Sequence, residues 1–420
     1  MSSYEGRDLQ RRQSTCGPNI NRFSVLAGVL NPALLEDALQ QLALRHEALR
    51  TRFEADHTGV FTRRVEATAD LRLQQIDLRA YEATDEAVKA QVRAAVNVGF
   101  AADAYPLARV SIFSVANNET VIVISVAELI ADGQSVSILM RDLSELYEAQ
   151  LAHRDTDLPP IEYGLSAFVA SQVAWTHSAE YGERLHRLQE RLHRQLSDSG
   201  GVEQLYFLPR TKESFLLDRE FPADLACDVR RMASLAKVSI PTVLMAMTSI
   251  GIARARGAQG LFFTSTFSNR SVAGTAQLMG HLATTMPCFL SVANQRSLTE
   301  CVQALHRDLF LLMSQFGMIP ISEVGAGFAE RYPSLPAGTT LKFGKVVMDV
   351  TPEEFPRMLG LESRAFVAGI PYGLGALCKF AFQASQSGKM HLWLRGLREP
   401  GNEELALQAV EYLMRPGLGR

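Results

Sequence analysis

The sequence has few of the features that mark disulfide-stapled, zinc-binding or membrane proteins. Its 420 residues include 5 cysteines. They are scattered, form no C-x-x-C pair and do not lie near histidine at ligand spacing, so neither a disulfide framework nor a zinc site is supported. The longest nearly uninterrupted apolar run, residues 121–131, is too short to cross a bilayer and contains Glu128. Residues 1–18 lack the apolar segment of a signal peptide. We therefore expect a cytoplasmic protein with no membrane partner.

An excess of positive charge is lacking as well. The chain has 42 Lys+Arg against 45 Asp+Glu and a formal net charge of -3, which removes the electrostatic argument for a nucleic-acid partner. No G-x-x-x-x-G-K-[S/T] or G-x-G-x-x-G loop is present, which excludes the common phosphate-binding signatures. A G-x-S-x-G elbow is also missing, so a serine hydrolase is unsupported.

What is present is an alternation of strands and helices. In the first half the pattern predicts a strand at residues 22–30, a helix capped by Asn31, and strands at residues 107–115 and 120–127. The last of these strands is apolar on both faces, which is typical of a central buried strand. The spacing of apolar residues then predicts a helix after Asp132. In the helix capped by Asn31, the stripe of apolar residues is expected to extend towards Phe53.

The second half repeats this mixture of strands and helices. One long helical stretch is predicted at residues 165–196, followed by strands, further helices and a final helix at residues 403–413. The length is sufficient for two cores. We therefore predict an α/β (α+β) protein with an N-terminal lobe at residues 1–160, a connecting helix at 161–204 and a C-terminal lobe at 205–420.

Four strings in register carry a resemblance to a known family. They are residues 45–53 (RHEALRTRF), 127–133 (AELIADG), 268–270 (SNR) and 371–375 (PYGLG). They resemble, in order, the RHEALRT, HHxxxDG, N-R and DFGWG motifs of the condensation domains of nonribosomal peptide synthetases. The resemblance extends over residues 20 to 415.

The resemblance implies two lobes like chloramphenicol acetyltransferase, set in a V with a central tunnel. It also implies partners: acyl or peptidyl carrier proteins, whose phosphopantetheine arms bring tethered acyl thioesters into the tunnel from two sides. The chain itself would need no cofactor and would act as a monomer.

The family's catalytic motif is altered in this chain. Ala127 replaces the first motif histidine, and Glu128 replaces the second, to which amide or ester formation is attributed in the family. Glutamate is a competent general base, and a carboxylate partly removed from water is suited to proton transfer. The alternative is drift after loss of function, with Glu128 reaching water or pairing with an arginine.

The other candidate site residues surround this motif. By the same resemblance Asp132 and Arg270 form a buried salt bridge, for which a structural role is favoured. Gly133 is expected to allow a tight backbone at the strand-to-helix corner. Four further residues are candidates to line the cleft: Ala127, Ser268, His281 and Tyr372. Of these, His281 could replace the lost base, although a lone histidine is more often an ordinary polar side chain.

Two further histidine-containing segments have plain explanations. His46 belongs to the RHEALR string, where a packing or capping role is favoured. One helical face carries Glu183, His186, Glu190 and His193. Metal binding there is conceivable, but a solvated charged face explains the spacing better, so no metal site is predicted.

Two functions stay open. The first is a stand-alone condensation-like acyltransferase of natural-product biosynthesis, with Glu128 as its base. The second is an inactive condensation-fold scaffold that recruits carrier proteins or tailoring enzymes. The sequence favours the enzyme, because an ionisable side chain occupies the catalytic position.

Overall fold

The computed structural model describes residues 19–198, 214–220, 223–320, 323–324, 349–352, 357–365, 378–384, 390–397 and 411, with short gaps at 59, 69, 82–85, 102, 256, 271, 293–296 and 318. The chain divides into two compact units. Unit 1 contains residues 1–177, 268–283 and 354–370, and unit 2 contains residues 178–267, 284–353 and 371–420. Each unit is therefore assembled from three separate stretches of chain. The lobe boundaries expected at residues 160 and 204 stay a prediction.

Strands and helices alternate through both units. The strands are β1 (Asn19–Ala27), β2 (Thr51–Ala55), β3 (Phe61–Val65), β4 (Leu73–Asp77), β5 (Ala108–Ala116), β6 (Glu119–Ala127), β7 (Ser214–Glu220), β8 (Gly260–Phe267), β9 (Thr284–Ser291), β10 (Asp349–Pro352), β11 (Arg357–Met358), β12 (Leu361–Ala365), β13 (Cys378–Ala384) and β14 (Met390–Leu397). The helices are α1 (Pro32–Arg45), α2 (Glu86–Asn97), α3 (Gly133–Leu151), α4 (Leu165–Thr176), α5 (Ala179–Asp198), α6 (Ala223–Ala236), α7 (Ile240–Ala255) and α8 (Leu298–Phe316).

Unit 1 is built on a six-stranded sheet with the order β11-β12-β1-β6-β5-β4. Strand β6 lies between β1 and β5 and is antiparallel to both. All its residues after Glu119 are buried, which confirms the prediction of a central buried strand. The pairing of β4 with β5 is parallel.

Helix α1 follows the sequence pattern at its start and departs from it at its end. Asn31 Oδ1 accepts hydrogen bonds from the backbone N–H groups of Ala33 and Leu34 at 3.1 and 3.3 Å, so the predicted cap is confirmed. The helix ends at Arg45, and a 3₁₀ turn leads into the hairpin of β2 and β3. Phe53 therefore lies on a strand, and the expected extension of the helical stripe towards it is wrong.

The RHEALR string joins three helices of unit 1. The Nε atom of Arg45 and the Nε2 atom of His46 lie 2.8 and 3.0 Å from Asp142 Oδ2 in α3. Glu47 Oε2 accepts from the N–H and the hydroxyl of Ser166 at 2.8 and 2.7 Å, which satisfies a donor at the start of α4. The packing role favoured for His46 agrees with its 2% exposure.

Unit 2 contains a four-stranded sheet, β10-β13-β14-β7, and a separate antiparallel pair, β8-β9. Helix α7 is buried on every side from Thr242 to Ala253 and contacts α6, α8, β8 and β9. Such a helix belongs to the core of its unit, since an exposed helix would keep one polar face.

The single helix predicted over residues 165–196 is wrong. Helix α4 ends at Thr176 and α5 begins at Ala179. Two side chains bond to the same carbonyl in the last turn of α4, because Thr176 Oγ1 and His177 Nδ1 both lie 2.8 Å from the oxygen of Val173. The boundary between the two units falls directly after His177. The final helix predicted at residues 403–413 lies outside the described residues, apart from Glu411.

Within the described residues, no single helix has the length and apolar composition that a membrane span needs. Helices α6 and α7 satisfy that test only as a pair, and the pair is bent by 109°.

Candidate functional site

The candidate site of unit 1 begins where β6 ends. Ala127 is the last residue of the strand, a 3₁₀ turn covers Glu128–Ile130, and α3 starts at Gly133. From Ala127 to Asp132 every residue is buried except Glu128, which is half-buried. From Ala127 to Asp132, therefore, Glu128 is the least buried residue.

Asp132 caps α3 and accepts hydrogen bonds from two parts of the chain. Its Oδ1 atom accepts from the N–H of Ser135 at 2.8 Å, which is an N-cap bond. Its Oδ2 atom accepts from the N–H groups of Leu282 and Ala283 at 3.1 and 3.0 Å. The aspartate is 4% exposed.

Arg270 forms the ion pair expected with Asp132. Its Nη1 and Nη2 atoms lie 2.8 and 2.9 Å from Oδ2 and Oδ1, a two-pronged geometry. Burial raises the pKa of Asp132, but the charge and hydrogen bonds of Arg270 lower that pKa by more, so the net shift is downward. Asp132 therefore stays ionised and fully bonded, and it is unsuited to accept a proton during a reaction.

His281 is hydrogen-bonded to the turn that carries Glu128. Its Nδ1 atom lies 2.8 Å from the carbonyl oxygen of Glu128 and 3.1 Å from that of Ala131. Carbonyl oxygens only accept, so Nδ1 carries a hydrogen and Nε2 holds the lone pair of the neutral ring. The structure thus brings together four of the residues predicted from the sequence: Glu128, Asp132, Arg270 and His281.

The other predicted residues contribute less. The expected tight turn does not require Gly133, because its φ lies outside the left-handed region and no atom lies within 4 Å of a Cβ built on it. Ala127 is fully buried. Ser268 is exposed, and its carbonyl accepts from Arg270 Nη1 at 3.1 Å. Tyr372 lies outside the described residues.

Sequence reasoning missed Ser135. Its hydroxyl lies 2.7 Å from both Asp132 Oδ1 and the carbonyl of Gly280, and it accepts from the N–H of Gly280 at 3.1 Å. Arg270 Nη2 donates to the same hydroxyl at 3.0 Å. The sequence offers an N-cap residue type at Asp132, but no local signal links Ser135 to Gly280, which lies 145 residues further along the chain.

Metal binding finds no support among the described residues, which contain no group of three or more His, Cys, Asp or Glu side chains that could hold an ion. The helical face of α5 is also not uniformly solvated. Glu183 and His186 are exposed, but His193 is 6% exposed and therefore buried. The interpretation of these residues as one solvated charged face is wrong for His193.

A family model for the condensation domain matches residues 15–318, which is more than half of the chain and contains the whole site. The chain belongs to the condensation domain family. This confirms the resemblance carried by the RHEALR, AELIADG and SNR strings.

Relatives of this condensation domain are long synthetases. It is 24% identical to malpinin synthetase of Mortierella alpina over 291 residues, which cover 67% of this chain and 4% of that protein. It is 24% identical to one component of the linear gramicidin synthase of Brevibacillus parabrevis over 302 residues, 70% of this chain and 6% of that protein. The chain thus corresponds to a small part of each relative.

Solved structures share its fold. The first condensation domain of the calcium-dependent antibiotic synthetase has a TM-score of 0.77 and 16% identity, covering 100% of this chain and 97% of that chain. The starter condensation domain of rhizomide synthetase, with bound C8-CoA, has a TM-score of 0.77 and 16% identity, covering 98% and 92%. The X-domain from teicoplanin biosynthesis, in complex with OxyB, has a TM-score of 0.75 and 19% identity, covering 99% and 92%. The predicted mixed α/β fold class is confirmed.

Proposed function

We propose that this condensation domain transfers an acyl group from a carrier-tethered thioester to a nucleophile in natural-product biosynthesis. Its kinship with parts of peptide synthetases supports the pathway class. Carrier proteins would deliver the thioester on a phosphopantetheine arm, and the domain would bind no cofactor of its own.

The half-buried position of Glu128 among buried neighbours is the observation that carries this proposal. Glu128 lies at the end of β6, at the position of the second histidine in the family motif. A carboxylate in such a place can accept a proton from a bound nucleophile. The ion pair between Asp132 and Arg270 also supports the proposal, because it fixes the start of α3 next to Glu128 in the chain.

The start of α3 is open beside Gly133. Gly133 is exposed, and a side chain there would meet nothing within 4 Å. In the proposed reaction the nucleophile bonds to the acyl carbon and the carbon–sulfur bond breaks. The proton that leaves the nucleophile compensates the one taken up by the departing thiolate, so the step needs no oxidant or reductant.

The test is intact-protein mass spectrometry of acyl-loaded carrier proteins, with carriers and acceptors taken from the neighbouring biosynthetic genes. With the native domain we expect loss of the acyl mass from the donor. Glu128→Gln removes the proton acceptor and should slow this loss by about 10²–10⁴-fold.

Glu36→Gln is the matched control, because Glu36 is also half-buried and lies on α1. Equal rates for the native domain and Glu128→Gln would contradict the catalytic role of Glu128.

A second candidate function is a scaffold that recruits a tailoring enzyme or a carrier protein. It is favoured by Ala127, which is fully buried and offers no proton-transfer group where the family has histidine. The X-domain, which shares this fold, is found in complex with OxyB. A scaffold should bind its partner equally well after Glu128→Ala, and no donor should lose its acyl mass.

A further inference from the structure

We propose that His281 is a positioning residue, which fixes Glu128 for acyl transfer by holding the main-chain carbonyl of that residue. The inference rests on the proposed function and adds a residue that acts through Glu128 and not on the substrate. It is carried by the hydrogen bonds of the turn at residues 128–131.

The carboxylate of Glu128 is not held by other side chains. Among the residues that the structure describes, none donates a hydrogen bond to it or forms an ion pair with it. The place of this side chain is therefore set by the backbone of the turn. A general base has to lie within hydrogen-bond reach of the proton that it takes, so the backbone conformation at Glu128 bears directly on the proposed reaction.

The turn is closed only weakly by its own hydrogen bond. It covers Glu128–Ile130, and no side chain caps its start. The N–H of Ala131 donates to the carbonyl oxygen of Glu128 at 3.4 Å, whereas an ordinary N–H···O bond is about 2.9–3.0 Å long. The side chains of Leu129 and Ile130 are buried, so they anchor the middle of the turn but do not fix the carbonyl of Glu128.

His281 supplies the shorter bond. Its Nδ1 atom lies 2.8 Å from the carbonyl oxygen of Glu128 and 3.1 Å from that of Ala131, so one N–H joins both ends of the turn. Ala131 is fully buried, and a buried carbonyl that loses its donor is unfavourable. Without His281 these carbonyls would rotate towards other donors, and Glu128 would move with them.

The backbone on both sides of His281 is bonded to the helix that follows the turn. The N–H of Gly280 donates to Ser135 Oγ at 3.1 Å, and the N–H of Leu282 donates to Asp132 Oδ2 at 3.1 Å. Both acceptors belong to the buried start of α3. Because its own backbone is fixed, His281 can fix the turn, as a residue that supports a reacting group must.

The first experiment measures kcat and KM for acyl transfer by His281→Leu and His281→Asn in the carrier-protein assay described above. Both replacements branch at Cγ, but only Asn keeps an N–H donor near the position of Nδ1. We expect His281→Leu to lower kcat by about 10–100-fold, because a small displacement of a reacting group is enough for such a loss. The KM for the loaded carrier should stay unchanged, and His281→Asn should recover most of kcat.

His177→Leu is the control for the loss of an imidazole. His177 Nδ1 also lies 2.8 Å from a carbonyl oxygen, that of Val173 at the end of α4. This variant should keep the native kcat.

A double-mutant cycle tests whether the effect passes through Glu128. In the Glu128→Gln background, His281→Leu should lower kcat by less than about twofold, since a carboxylate that has been removed cannot be displaced. An equal loss in both backgrounds would mean that His281 acts independently of Glu128, and the inference would be overturned.

The outcomes separate this inference from the proposed function. If the native domain transfers no acyl group from any cognate carrier, the proposed function is overturned and the inference falls with it. If the native domain is active and His281→Leu matches it, or His281→Asn is as slow as His281→Leu, this inference alone is wrong.

A second measurement needs no substrate. Hydrogen exchange of a peptide that contains residues 128–131, followed by mass spectrometry, should be faster in His281→Leu than in the native domain and close to native in His281→Asn. Urea denaturation of each variant separates this local change from a loss of global stability. Exchange that is as slow in His281→Leu as in the native domain would overturn the proposal.

Discussion

Helix α3 carries two buried aspartates that use the same chemistry for different purposes. Asp132 at its start and Asp142 near its middle are 4% and 0% exposed, and each accepts hydrogen bonds from arginine. The partners of Asp132 beyond its own helix all come from residues 270–283. Those of Asp142 come from the end of α1 and from its own neighbour, Arg141.

The difference shows that a buried, ionised carboxylate does not by itself identify a reacting group. Asp142 holds α1 against α3, which is a task of the fold. Asp132 holds residues 270–283, the segment that contains His281. Its contribution to the site is therefore to position that segment. Neither aspartate is suited to proton transfer, because every oxygen is occupied by donors.

The largest expected effect comes from breaking the ion pair of Asp132. Arg270→Met leaves a buried carboxylate without its charge partner and should lower the free energy of unfolding by about 3–5 kcal/mol. Arg141→Met is the comparison, since Arg141 is 43% exposed and Asp142 keeps Arg45 and His46. Urea denaturation measures both. If Arg270→Met lowers the free energy of unfolding no more than Arg141→Met does, the distinction between the two aspartates is contradicted.

Acid should reveal the contribution of Asp142. Burial raises its pKa, but hydrogen bonds from His46, Arg45 and Arg141 lower it by more, to about 2. The pKa in the unfolded chain is near 3.9. The ionised form is thus favoured by folding, and the stabilisation is complete above pH 4 and lost as the pH falls towards 2. It amounts to about 2–3 kcal/mol.

The measurement is the free energy of unfolding as a function of pH. Asp142→Asn should flatten this curve between pH 4 and 2 without removing its slope, because the pKa of Asp132 is also lowered. The exposed Asp155→Asn serves as the control, and a curve unchanged in Asp142→Asn would count against the assignment.

The smallest expected effect compares two glycines near Asp132. A Cβ at Gly280 would lie 2.6 Å from Leu165 Cδ1 and 2.8 Å from Leu282 Cδ1, so Gly280→Ala should cost about 1–3 kcal/mol through overpacking. Gly133→Ala meets no neighbour and should change stability by less than about 0.5 kcal/mol. Thermal unfolding of both variants measures this difference, and equal losses of stability would contradict the prediction.

Local signals in the sequence predicted the elements that depend on local chemistry. The Asn31 cap, the buried strand β6 and the helix after Asp132 all follow from neighbouring residues. The resemblance to the family motifs pointed to Glu128, Asp132 and Arg270, and His281 was a candidate from its place after Gly280 and before the predicted strand. The hairpin of β2 and β3 and the short strands β4, β11 and β12 carried no signal strong enough to predict.

What escaped prediction depends on contacts between distant residues. Nothing near His46 indicates that it pairs with Asp142, and nothing near Gly280 shows that Ser135 bonds to it. The break at His177 follows from two side chains that bond to the same carbonyl, which helical periodicity does not register. The role expected for Gly133 failed because a motif glycine was assumed to need unusual backbone angles.

The pairing of β1 with β12 has a consequence for the order of synthesis. On one side Ser24 faces Ile122 of β6, and on the other it faces Ala365 of β12. At about 5–20 residues per second, a ribosome needs roughly 10–50 seconds to pass from the end of β6 to the end of β12. During that interval the nascent chain presents an unpaired strand edge, which is a template for wrong pairing. The slower the translation through this stretch, the longer that edge of β1 waits for its partner.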